Sequence, residues 1–169
     1  MYRYSIPACL LAAVMVALLI PTPALAASLE LKPSIGDVYV VTTIKGVAKK
    51  YVGGQETTLQ AVLEMKCRVT EAGARFVLFR VVEGTLKIGD DTYKIVDDRW
   101  RGIYDRKTEK TFVEATAVDG FGARIHFILI GDDSRHTPGG TYMNIGGGLK
   151  DPGGDHWRLT IRAWRFRVN

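Results

Sequence analysis

The chain predicts an all-β fold: one antiparallel meander, expected to close as a small up-and-down barrel, with a β-sandwich as the alternative. Three observations carry this reading. Runs rich in β-branched and aromatic residues alternate apolar with polar at period two. Turn residues such as Gly53-Gly54, Gly89-Asp90 and Asp119-Gly120 punctuate those runs at short spacing. No helical period appears after residue 26.

The first strand is GDVYVVTTIK, Gly36 to Lys45, with a continuation to Val52. Gly53 to Gln55 turn the chain into TLQAVLEMKCRVT. There Leu59, Ala61, Leu63, Met65, Cys67 and Val69 form one face and Gln60, Glu64, Lys66 and Arg68 lie on the other, so Cys67 is expected inside. EAG, Glu71 to Gly73, turns into a strand that is apolar on both faces from Phe76 to Val82. A hairpin follows at Gly89-Asp90-Asp91, then DRWRGIYD, the polar turn RKTEK, TFVEATAV, the Asp119-Gly120 hairpin, and FGARIHFILI. In that last run His126 shares the outer face with Arg124, Ile128 and Ile130. HWRLTIRAWRFRV closes the chain, for a total of about eight or nine strands.

Nearest-neighbour connections and a long amphipathic second strand fit a lipocalin-like barrel architecture, although no motif ties the chain to that family or to any other. A lipid-embedded barrel needs an apolar outer band on every strand and a polar interior. The charged stretch TYKIVDDRWRGIYDRKTEK does not supply that band.

Residues 1–26 read as a secretory signal: Arg3, an apolar run from Ile6 to Ile20, then Ala24 and Ala26 ahead of a cleavage point. The expected mature chain, 27–169, is a single β domain that is exported to the periplasm, the cell surface or the medium. No segment of it is apolar and long enough for a membrane-spanning helix. The leader carries Arg3 and no acid, so the net charge of +5 becomes +4, a mild bias toward anionic partners. Cys67 is then the only cysteine left, which excludes an intrachain disulfide.

Residues 131–156 are the most conspicuous stretch. With Trp157 they hold eight of the eighteen glycines, two of the three histidines and four aspartates, and read as a long flexible Gly-rich loop. His136, His156 and Asp155 are the candidate metal ligands by residue type, without the spacing of a zinc or EF-hand motif. The Gly146–Gly148 run precedes Asp151-Pro152, so no helix opens there to cradle a phosphate. No serine lies in a nucleophile elbow. No cofactor is implied, and an enzyme reading rests only on the His and Asp content of this segment.

The last strand interleaves Arg158, Arg162, Arg165 and Arg167 with Trp157, Trp164 and Phe166. Its apolar phase slips at Ala163-Trp164, which predicts a β-bulge or a strand that bends across a corner. Arg158, Arg162 and Trp164, with Tyr142 from the glycine-rich segment, are the candidate ligand-binding residues. The alternative is that these arginines pair with acids such as Asp97 and Asp98. Export and the lack of an RNP-type motif argue against nucleic acid. The expectation is therefore a binding module for a small apolar or amphipathic ligand or an anionic surface polymer. A homo-oligomeric structural domain and an enzyme sited on 131–156 stand as alternatives.

Overall fold

The computed structural model describes residues 32–96 and 101–168. The expected leader, and Asp97 and Asp98, lie outside the described residues. The strands are β1 (Val38–Val52), β2 (Gln55–Ala72), β3 (Phe76–Ile88), β4 (Asp91–Val96), β5 (Gly102–Asp105), β6 (Lys110–Val118), β7 (Arg124–Thr137), β8 (Gly140–Lys150) and β9 (His156–Val168). All belong to one antiparallel sheet in the order β2-β1-β9-β8-β7-β6-β4-β3-β5, with β2 also pairing β3 and β6 also pairing β5. Those extra pairings close the sheet into a ring of strands in up-and-down order. β4 and β5 occupy one position in succession: β4 pairs residues 84–88 of β3, and β5 pairs residues 76–79.

The ring closes because each strand has one apolar face to hide. Leu63, Leu86, Phe127, Leu159 and Ala163 have no accessible surface, and each stands at the inward parity of its strand. Side chains thus pack the interior beside them, and no ligand-sized hollow adjoins them. Cys67 is inside as its alternation predicts, a free buried thiol. On β2, Gln60, Glu64 and Arg68 are exposed on the outer face. An apolar interior behind charged outer positions is the reverse of a lipid-embedded barrel.

Two expectations need correction. Residues 131–150 are not a loop. They form the second half of β7 and all of β8, joined by a tight turn at Pro138-Gly139, and only residues 151–155 make a turn before β9. Three of the glycines there, Gly131, Gly140 and Gly147, allow close approach and are not slack. A Cβ on Gly147 would collide with the Ile128 carbonyl, and one on Gly140 with the Arg165 carbonyl. On Gly131 it would meet the Met143 methyl at 2.8 Å.

The predicted bulge at Ala163-Trp164 is also absent. β9 pairs β8 without interruption from Thr141↔Arg165 to Lys150↔His156. The irregularity lies in β1, whose register to β9 shifts between Thr43 and Lys45. Alternation along β9 therefore continues, and Arg165 and Arg167 take inward positions. The apolar pattern breaks because this end of the interior is polar.

Candidate functional site

Two clusters of functional side chains emerge, one inside the ring and one outside. Inside, Asp133 on β7 is fully buried and bonds Arg165 on β9 at 2.7 Å. The Arg165 guanidinium lies 5.0 Å from the ring centroid of Tyr104 on β5. One turn of the pleat further on, Arg167 pairs with nearly buried Asp37 at 2.6 Å, tying the first and last strands together. Burial raises the Asp133 carboxyl above its ordinary value, outweighing the attraction of Arg165. Burial also pushes the Tyr104 phenol and the Cys67 thiol each up to about 12. Both stay protonated at neutral pH, so neither serves as a base or nucleophile. The cluster's arrangement is that of a structural ion pair.

His136 belongs to this end of the ring, where its ring nitrogens meet Thr141 at 3.0 Å and Glu109 at 3.2 Å. His156 opens β9 at the opposite end, opposite Lys150. The nine steps of β8 between those partners put about 30 Å between the two histidines. Asp155 is engaged by Lys50 at 2.6 Å. The candidate metal set is thus not brought together, and no group of three His, Cys, Asp or Glu suited to a metal occurs among the described residues.

Outside, the ligand-binding candidates share one face. Arg158, Arg162 and Trp164 project from the outer face of β9, and Tyr142 from that of β8. Tyr142 and Trp164 stand opposite each other with ring centroids 4.5 Å apart, edge to face at 60°. Trp164 has room because Gly140 beneath it carries no Cβ. Around these residues lie several that inspection of β9 alone missed. Lys49 is directly opposite Arg158 across the β1–β9 ladder, and Lys45 is opposite Arg162. On the other side, Gly148 is opposite Arg158 and Gly146 is opposite Thr160. Gly146 has open space above it. Beyond this bare floor stand exposed Ile128 and Ile130 of β7, in register with Gly148 and Gly146.

The outer face therefore presents a glycine floor with a cationic wall on one side and an apolar wall on the other. Lys49 has an acid partner, Glu56, at 2.7 Å. Arg158 and Arg162 form no ion pair among the described residues. Like charges set directly opposite in a sheet oppose folding, and two such pairs share this face, with Val47 opposite Thr160 between them. A sequence signal for this face existed in the register of β1 against β9, but pairing between the chain's first and last strands is visible only once the ring closes. No protein family, no curated protein and no solved structure matches the chain, so its functional reading rests on this geometry.

Proposed function

We propose that the protein is an exported binding module that holds an anionic component of the cell exterior on the outer face of β1, β8 and β9. The carrying observation is the doubled like-charge pairing, Lys49 against Arg158 and Lys45 against Arg162, with both arginines lacking an acid partner among the described residues. An anion placed between the strands would relieve that repulsion. Trp164 and Tyr142 add a stacking and hydrogen-bonding surface at the edge. The N-terminal basic, apolar and small-residue order supports export. A ligand inside the ring is not favoured, because Leu63, Leu86, Phe127, Leu159 and Ala163 leave no accessible space beside them.

Dextran sulfate, a polyanion without apolar chains, tests the charge reading. The protein should bind it with an affinity that falls steeply as salt rises. Replacing Arg158→Gln and Arg162→Gln together should remove most of that binding and leave the melting temperature near that of the native chain. No binding at low salt, or binding that ignores the paired substitution, would overturn the proposal.

A further inference from the structure

Beside the cationic wall, one register row carries large apolar side chains outward on consecutive strands. Leu78 pairs Ile103, Ile103 pairs Phe112, Phe112 pairs Ile130, and Ile130 pairs Gly146. Ile103, Phe112, Ile128 and Ile130 are between 38% and 49% exposed, unusual for residues of this size standing together on three adjacent strands. An open groove of about 450 Å³ beside Phe76, Leu78 and Ile103 extends the same surface.

The charges around this arc are not random. Each outward acid on it is already matched: Asp105 with Arg75 at 3.0 Å, Glu114 with His126 at 2.8 Å, and Asp132 with Lys110 at 3.6 Å. Among the described residues, three cations on the flanks form no ion pair. Arg158 and Arg162 lie beyond the glycine floor on one side, and Arg80 on β3 lies on the other. The aromatic pair Tyr142–Trp164 lies at the end of the cationic wall, two positions beyond Arg162 along β9. β5, β6 and β7 together span about 10 Å across the strands, so the convex wall can touch a flat surface with all three at once.

We infer that this arc is a membrane-docking surface. Ile103, Phe112, Ile128 and Ile130 enter the headgroup region of an anionic bilayer, while Arg158 and Arg162 contact its lipid phosphates. Apolar side chains that dip into the interface, Trp and Tyr at its level and cations at the headgroups match the layered chemistry of such a bilayer. The inference rests on the anion-binding reading above and narrows it to one partner, an anionic lipid surface.

Sedimentation with vesicles tests it, using phosphatidylcholine alone against phosphatidylcholine mixed with phosphatidylglycerol. The protein should partition onto the anionic vesicles only. Arg158→Gln with Arg162→Gln should weaken this about thirty-fold, from the contribution of two cations near an anionic surface. Phe112→Gln with Ile130→Gln should weaken it by a similar factor and leave dextran sulfate binding unchanged. Both apolar positions are exposed, and melting curves confirm that the variants fold. Dextran sulfate binding without vesicle binding would overturn the membrane inference and leave the anion reading standing. Vesicle binding indifferent to the Phe112/Ile130 variant would overturn insertion. A dimer that the same variant dissolves, with no vesicle binding, would make the arc an interface between copies of this chain. Failure to bind either probe would remove both readings.

Discussion

β9 carries four arginines with two opposite fates. Arg158 and Arg162 face outward, opposed by lysines and lacking an acid partner among the described residues. Arg165 and Arg167 face inward, each against a buried or nearly buried aspartate at 2.7 and 2.6 Å. The four residues lie within ten positions of one strand, so composition does not separate them; parity does. Arg165, whose side chain is largely buried, must have its charge matched, because an unmatched ion in an apolar interior is costly; Arg167 stands at the more open end of the strand. An outward arginine is free of that demand, since water solvates it. Repulsion on the outside is therefore tolerable, and it is where a binding surface can be built at small cost to the fold.

The largest effect comes from breaking the inner pair. Arg165→Met should leave the Asp133 carboxylate buried and unmatched, lowering stability by about 3–5 kcal/mol in urea unfolding. Asp133→Leu combined with Arg165→Met should recover most of that loss, because a buried ion pair replaced by apolar residues is often neutral or better. The pH response sharpens the test. Asp133 has a raised carboxyl pKa in the folded state, so the folded protein binds that proton more tightly than the unfolded chain does. Its contribution to stability is greatest below the ordinary value of 3.8 and falls as pH rises through the window above it. The native chain should therefore gain on the double variant as pH is lowered toward 3.8. A difference that is flat with pH would show that Asp133 does not titrate in the folded state as its burial implies.

The same distinction between inner and outer positions explains how much of the fold and site was legible. The inward face of β2 and the burial of Cys67 follow from alternation alone, since one apolar face must be hidden. The polar end of the interior breaks that rule. Arg165 looks like a slip of phase because its partner, Asp133, is thirty-two residues earlier in the chain. Glycine misled in a different way. In sequence, Gly146–Gly148 resemble slack, yet within β8 they alternate between bare outer floor and close contact with β7. Arg158, Arg162, Trp164 and Tyr142 could be picked out by residue type. The lysines and isoleucines that complete their surface could not, because they come from β1 and β7 and join it only through ladder register.

Glycine supplies an intermediate test of that contrast. Gly147→Ala would drive a methyl into the Ile128 carbonyl and the Leu129 side chain, and should cost about 1–3 kcal/mol, as overpacking usually does. Gly146→Ala, one residue away, points into open space and should leave unfolding nearly unchanged. Equal effects at the two positions would mean that β8 is not held in this register.

The smallest effect on stability belongs to the outer arginines, and its sign is informative. Arg158→Gln and Arg162→Gln remove a charge from each like-charge pair while making no cavity, because both side chains are exposed. Relief of repulsion should raise the midpoint of thermal unfolding slightly at low ionic strength. Salt weakens the repulsion in the native chain, so the difference should vanish near 1 M, where charges are screened beyond about 3 Å. A destabilised variant would mean that Arg158 and Arg162 support the fold through contacts of their aliphatic stems. A stabilised one would show that this face works against folding, which is the pattern expected of residues that serve a binding partner instead of the ring.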